Sequence, residues 1–171
     1  MKLFAIYIGG STETSLIELH DARFIVAETI EDTYAELKAG WWGTPRSLHL
    51  DCWGELTSAD GHNVVLKDHP QEGADKLWFV NLGGYDPTDF SELHKNVFVV
   101  APTKSKAKVR ALKYVIDWQG RHEDYTFEVE KLSCINDMAA GKGLYVHVEP
   151  AGKPVPFKFT CKYRPIGKDA A

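Results

Sequence analysis

Cysteine is scarce in this sequence, and its three cysteines do not form an obvious set. Cys52, Cys134 and Cys161 lie far apart in the 171 residues, with no C-x-x-C pair among them. An odd number at such distances indicates neither a disulfide framework nor a zinc ribbon. We therefore expect each cysteine to be a small apolar interior residue of a protein in the reducing cytosol.

Long apolar runs and a strong charge of one sign are also missing. No stretch approaches the roughly 18 consecutive apolar residues that indicate a membrane-spanning helix. The opening MKLFAIYIGG alternates like a strand and lacks the features of a signal peptide. The net charge of −4 gives no reason to expect nucleic acid as a partner. We expect a cytoplasmic protein with neither a membrane nor a nucleic-acid partner.

Short catalytic signatures are absent as well. The sequence contains no G-x-S-x-G, no H-E-x-x-H and no P-loop. No cofactor is signalled by these patterns, and whether the protein is an enzyme stays open.

What the sequence does contain is an internal repeat. A shift of 74 positions aligns residues 2–27 with 76–101 without a gap, and 11 of the 26 pairs are identical. Both copies carry Gly-Gly, seven further residues and then Glu-Leu-His. Such self-similarity predicts a duplicated structural unit. We predict one unit at 1–75, a second at 76–150, and within 151–171 a C-terminal strand at 155–163 followed by a polar tail.

Each unit is predicted to have the element order ββαββ. The runs KLFAIYI and KLWFVNL are apolar on both faces, which indicates central strands that end at the Gly-Gly. The first helix is predicted to follow Thr29, which with Asp32 resembles a capping box, and the second to follow Thr103. We expect an α+β fold in which the two units form mixed or antiparallel sheets about a pseudo-two-fold axis, with one main helix each.

The paired glycines have two interpretations. A Gly-Gly after a strand favours a turn with positive φ. The alternative is close approach of the backbone to a ligand. On that interpretation the four glycines are candidate ligand-binding residues: Gly9, Gly10, Gly83 and Gly84.

The Glu-Leu-His copies are the second candidate. On an extended backbone Glu18 and His20 share one face, as do Glu92 and His94. A carboxylate can orient an imidazole and leave its second nitrogen free for proton transfer or metal binding. If the copies meet, the four side chains would form a catalytic site, with His20 and His94 as candidate metal ligands. Alternatively, each histidine bonds the backbone of its own loop.

The segment WWGTPRSLHLDCW supplies a third candidate. His49 and Asp51 are two residues apart on a predicted strand and share a face, whereas the second unit offers Tyr125 and Phe127. This divergence indicates a ligand site in one unit, and the alternative is the polar outer face of a half-exposed strand. Trp42 is a candidate aromatic wall for a ligand, although tryptophans more often fill a core or an interface.

The second predicted helix is strongly basic. No acid occurs in residues 102–116, which contain five cations: Lys104, Lys106, Lys108, Arg110 and Lys113. A solvated face is the simplest interpretation. The alternatives are an acidic partner or self-association with the acidic first helix.

Four motifs resemble a small bacterial family classed only as a domain of unknown function. They are MKLFAIYIGG, IELHD.RFIV, WWGTP.SLHLD.W and NLGGYDP..FSELHK.VFVVA, and together they cover residues 1–101. The resemblance implies a cytosolic bacterial protein that contains the domain once or twice. It implies no activity, substrate, cofactor or functional residue, and it does not extend over residues 135–171.

From these patterns we expect a binding module, for a small molecule or a protein, with its site at the junction of the repeats. One alternative is a small metal-dependent or acid–base enzyme that uses the Glu-Leu-His copies. A second is a structural or interaction protein that acts as a homo-oligomer.

Overall fold

The computed structural model describes residues 1–115, 129–139, 142–153 and 155–167. These residues form an α+β protein with antiparallel sheets and few helices, which confirms the predicted class. The strands are β1 (Lys2–Gly10), β2 (Leu19–Ala27), β3 (His49–Glu55), β4 (Ser58–Ala59), β5 (His62–Lys67), β6 (Lys76–Tyr85), β7 (Glu92–Ala101), β8 (Val129–Cys134), β9 (Tyr145–Pro150) and β10 (Thr160–Pro165). The helices are α1 (Tyr34–Gly40), α2 (Lys104–Leu112) and α3 (Ile135–Ala139), with 3-10 turns at Glu31–Thr33, Pro45–Ser47 and Lys113–Val115.

The chain divides into two units. Unit 1 consists of Met1–Thr57 and Pro156–Ala171, and unit 2 consists of Ser58–Val155. The C-terminal strand, predicted at 155–163, belongs to unit 1, because β10 pairs with β3. The repeat boundaries at 1–75 and 76–150, and the pseudo-two-fold axis, stay predictions.

Unit 1 is built on one four-stranded sheet in the order β10-β3-β1-β2. β1 lies between β2 and β3, which confirms the central position that its two apolar faces predicted. Side chains of β2 and of β3 therefore lie next to β1. The core is apolar and includes Ile6, Ile8, Ile25, Leu37, Leu48, Leu50 and Ile166.

The entry to α1 has the capping interactions that the sequence predicted. The Thr29 amide donates to Asp32 Oδ2 at 2.9 Å, and the Asp32 amide donates to Thr29 Oγ1 at 3.3 Å. These reciprocal bonds satisfy two amides that a helix start leaves unpaired. The hydrogen bonds from Thr29 also hold the pKa of the Asp32 carboxyl below its ordinary value.

Unit 2 contains two three-stranded sheets, in the orders β7-β6-β8 and β4-β5-β9. The predicted second helix is α2, and its Thr103 cap accepts a bond from the Lys106 amide at 3.3 Å. Its small buried residues pack against the sheet in a core that includes Val80, Leu82, Val99, Ala107, Ala111 and Val115.

The glycine pairs do not form turns; the predicted strand end is observed for β1, whereas β6 continues one residue past its Gly-Gly. Gly9 and Gly10 are the last two residues of β1, while Gly83 and Gly84 lie inside β6. None of the four has a positive φ. The hairpins have the same register around these glycines, since Gly9 pairs with His20 and Gly83 pairs with His94.

The prediction for the cysteines was wrong for two of the three. Cys52 and Cys161 stand opposite one another on β3 and β10 and are joined by a disulfide. Cys134 is a free cysteine and is only half-buried. No local sequence pattern indicates this pair, because its members are 109 positions apart.

Among the described residues, no helix combines the length and the apolarity that crossing a membrane requires.

Candidate functional site

The central position of β1 joins two candidates that the sequence presented separately. Gly9 is paired on one side with His20 of β2 and on the other with His49 of β3. Because neighbouring strands are about 5 Å apart, residues that pair with one glycine project near one another over it. The first Glu-Leu-His and the His-Leu-Asp of β3 therefore meet within unit 1.

An irregularity in β3 positions the second carboxylate. Tyr7 pairs with Cys52 and Ile8 pairs with Leu50, so Asp51 is an extra residue between them. Such a bulge re-aims a side chain and is common beside functional sites. It allows Asp51 to point at the same place as His49.

Two imidazoles and two carboxylates converge here, and we call Glu18, His20, His49 and Asp51 the His–carboxylate cluster. Glu18 bridges the histidines, with Oε2 at 3.3 Å from His20 Nε2 and Oε1 at 3.0 Å from His49 Nε2. Asp51 also reaches both, with Oδ2 at 3.6 Å from His20 Nε2 and Oδ1 at 3.3 Å from His49 Nε2. Each Nε2 atom thus faces both carboxylates.

His49 is the buried member of the cluster. It is 3% exposed, and its Nδ1 donates to the Ser47 carbonyl oxygen at 2.8 Å. Tyr163 of β10 covers the ring at a centroid distance of 4.4 Å. With the proton held on Nδ1, the Nε2 atom of a neutral ring is an acceptor that faces further acceptors.

Two buried atoms of the cluster lack hydrogen bonds within the described part of the chain: His49 Nε2 and Asp51 Oδ2. Glu18 Oε1 lies 3.0 Å from His49 Nε2, which is close enough for an ion pair, but the contact lacks hydrogen-bond geometry. A buried polar atom without a hydrogen bond costs about 1–3 kcal/mol. The arrangement therefore carries a cost that calls for an explanation.

Burial also changes acidity at the site. It raises the pKa of the Asp51 carboxyl above its ordinary value of 3.8, and this effect exceeds the opposing attraction of His49 and His20. Burial, followed by the charge of Asp51, raises the pKa of Tyr7. The Tyr7 ring stacks on the ring of the exposed His20, with 5.2 Å between the ring centroids.

The glycines make room for these side chains. A Cβ atom at Gly9 would lie 2.6 Å from both Asp51 Oδ2 and His49 Nε2. At Gly10 it would lie 2.5 Å from Trp41 Cζ2. Close approach of protein side chains is therefore the observed reason for glycine at positions 9 and 10, and approach of a ligand to any of the four glycines stays a prediction.

A cavity of about 350 Å³ opens beside the cluster. Glu18 and His49 are part of its wall, and Glu18 is 47% exposed. Its other lining residues are Gly10, Ser11, Ser15, Leu16, Ile17, Ser47 and Tyr163. The volume is at the small end of the roughly 300–1,000 Å³ typical of ligand pockets.

No group of three or more His, Cys, Asp or Glu side chains in the described ranges has an arrangement that could hold a metal ion. The metal prediction for His20 and His94 stays untested.

The other candidates lie elsewhere. In unit 2, Glu92 Oε2 is 3.5 Å from His94 Nε2, so the second Glu-Leu-His also forms a pair. Trp42 is 56% exposed and packs on Trp41 at 5.2 Å, and it is not among the described lining residues of the cavity.

The residues of the second unit expected to correspond to His49 and Asp51 are Tyr125 and Phe127, and both lie outside the described residues. Strand pairing assigns a different residue to this place in unit 2. Asn81 pairs with Lys131 and Leu82 with Val129, so Glu130 has the bulge position that Asp51 has in β3.

Sequence reasoning missed Tyr7 and Tyr163. Tyr163 lies on a strand more than 100 residues from His49 in the sequence, and only the β10–β3 pairing brings the two together. Tyr7 could have been found, since it precedes the Gly-Gly on the strand that the sequence predicts.

Residues 15–66 match the family model described as Domain of Unknown Function (DUF1543). The chain is also similar to a solved structure, the crystal structure of a protein Il1583 from Idiomarina loihiensis, with a TM-score of 0.69 and 28% identity over 96% of this chain and 97% of that one. None of the curated proteins matches. All four cluster residues lie inside the matched segment. The expected resemblance to a domain of unknown function is thus confirmed for residues 15–66.

Proposed function

We propose that unit 1 is a small-molecule-binding module whose ligand occupies the cavity beside the His–carboxylate cluster. The observation that carries the proposal is His49, a buried imidazole at the cavity wall whose Nε2 has no hydrogen bond among the described residues. Buried polar atoms of this kind are rare away from functional sites, because they lower stability.

The chemistry of the cluster favours a ligand that donates hydrogen bonds. Glu18 offers carboxylate oxygens at the cavity wall, and His49 Nδ1 is already used by the Ser47 carbonyl. The remaining cluster atoms are chiefly acceptors. A ligand with an ammonium, amide or hydroxyl group would supply the missing donors, and Leu16 and Ile17 would contact its apolar part.

The proposal is tested by thermal unfolding with a library of small amines, amides and polyols. Divalent metals and a chelator form separate arms. Ligand that binds only the folded state stabilises it by about 2.7 kcal/mol at a hundredfold excess over Kd. We expect a shift of the melting temperature for the wild type that is lost in Glu18→Gln and His49→Gln.

His94→Gln is the matched control, because it changes the corresponding histidine of the second Glu-Leu-His. It should retain the full ligand shift. A shift that persists in Glu18→Gln and His49→Gln, or that disappears only in His94→Gln, would place the ligand elsewhere and refute the proposal.

Acid–base catalysis is a second candidate function. It is favoured by Asp51, whose partly buried carboxyl has a raised pKa beside His49, as general acids and bases often do. If the bound ligand is also converted, Asp51→Asn should retain binding and lose conversion. Equal conversion by Asp51→Asn would exclude this role.

Two earlier expectations stay predictions: a site at the junction of the repeats and function as a homo-oligomer.

A further inference from the structure

We propose that unit 2 carries a second, separate binding site, for a small organic anion, in a cavity beside helix α2. The cavity has a volume of about 510 Å³. Its lining residues are His62, Asp75, Val100, Ala101, Pro102, Ser105, Lys106, Val109, Arg110 and Lys113.

Three cations of α2 and its following turn face this cavity. Lys106, Arg110 and Lys113 are four and three positions apart, which places them on one side of a helix. The other two cations of the helix, Lys104 and Lys108, are not among the lining residues. The basic helix noted in the sequence is therefore divided into a cavity side and a solvent side.

A tight turn fixes the central cation. Asp60 and Gly61 connect β4 to β5 with positive φ values of 49° and 76°, as Asp-Gly hairpin turns do. The Asp60 side chain is only 8% exposed, and its carboxylate accepts from the Val100 amide at 2.8 Å and from Arg110 Nη2 at 3.0 Å. The guanidinium is thus held at the cavity wall before any ligand arrives, which reduces the entropy cost of binding.

The charge that remains is positive. Asp60 balances Arg110, which leaves Lys106 and Lys113 against one further acid of the lining, Asp75. Neither lysine has an ion pair with another described residue. His62 Nδ1 bonds the Asp60 carbonyl oxygen at 2.8 Å, so its second nitrogen is available as another polar contact. An anion would offset this excess of positive charge.

Part of the wall is apolar, which favours an organic anion over a bare inorganic one. Val109 is 64% exposed on the helix, and Pro102 lies at its start. An exposed valine among cations loses contact with water when an apolar group covers it. The ligand is accordingly a small molecule that joins an apolar part to a doubly charged group, either a phosphate monoester or a dicarboxylate.

Calorimetric titration with phenyl phosphate and with phthalate tests this site, and the tighter of the two identifies the anionic group. Two control ligands are titrated in parallel: phenol, which lacks the charged group, and inorganic phosphate, which lacks the apolar part. We expect the double variant Lys106→Gln/Lys113→Gln to bind the better probe about tenfold more weakly than the wild type. Arg110 is left unchanged, because its removal would leave the buried Asp60 carboxylate unpaired.

Lys104→Gln/Lys108→Gln is the matched control, with the same loss of charge on the same helix. Its affinity should stay within about twofold of the wild type, since long-range attraction alone is largely screened at physiological salt. Equal weakening in both double variants would show nonspecific attraction and overturn the site. Failure of the wild type to bind either probe would also overturn the site. If the wild type binds inorganic phosphate as tightly as the better organic probe, the assignment of an organic ligand is wrong.

Discussion

Gly9 occupies a position in unit 1 that leaves no room for a side chain. It lies between His20 and His49 on the neighbouring strands, and the space above its Cα is filled by Asp51 and His49. The same glycine therefore permits the His–carboxylate cluster to form. This role could not be derived from the sequence, because it depends on side chains from two other strands.

Gly9→Ala should lower stability and disturb the cluster. Its added Cβ would lie 2.6 Å from Asp51 Oδ2 and His49 Nε2, and overpacking of this kind costs about 1–3 kcal/mol. Urea unfolding measures the change. Gly40→Ala is the control, because a Cβ there meets no described atom within 4 Å. Equal stability of Gly9→Ala and the wild type would contradict the observed packing.

Asp51 should make stability depend on pH in a direction opposite to that of most carboxylates. Its pKa is raised by burial above the ordinary 3.8, so the folded protein binds this proton more tightly than the unfolded chain. Stability from this group is therefore complete below the ordinary pKa and is lost as the pH rises through the raised pKa.

The Asp51→Asn variant has no titrating group at this position, so its stability should not show the decrease that Asp51 causes as the pH rises. The free energy of unfolding of the variant relative to the wild type should increase across this window and stay constant above it. Urea unfolding at several pH values measures the difference. A difference that does not change with pH would contradict the raised pKa.

At the scale of elements, patterns local in the sequence predicted the helix caps and the central strands, whereas contacts between distant strands were not predicted. The Thr29–Asp32 cap, the Thr103 cap and the central strands all follow from residues close in sequence. The joining of Glu18 and His20 to β3 depends on strand register, which the hydrophobic pattern of one strand does not specify.

The C-terminal strand is the element that local patterns describe least well. β10 begins at Thr160, later than predicted, and its pairing with β3 brings Tyr163 over His49. Arg164 on the same strand lies 4.4 Å over the Trp53 ring and 2.8 Å from Glu31. β10 thus connects the cluster, the core and the entry to α1 within unit 1.

Removal of the disulfide between β3 and β10 should destabilise the protein. Cys52→Ser/Cys161→Ser is expected to lower the free energy of unfolding by about 2–4 kcal/mol, because the link restricts the unfolded chain. Urea unfolding without reductant measures the loss, and Cys134→Ser is the control with a free cysteine. If reductant leaves the wild-type protein as stable as before, the link contributes nothing.

At the scale of the whole molecule, the two units contain related hairpins but different surroundings. Gly9–His20 and Gly83–His94 are paired in the same way, while His49 and its cavity belong to unit 1. Unit 2 has its own cavity beside a basic helix. We therefore propose different ligands for the two units, one that donates hydrogen bonds and one that is anionic.

The most direct test of the central claim is a nitrogen-15 NMR titration of the histidine rings with the ligand that most raises the melting temperature. Binding at the His–carboxylate cluster predicts a large change at the His49 and His20 ring nitrogens and none at His69 or His94. Unchanged His49 and His20 signals at saturating ligand would contradict the assignment of the site to unit 1.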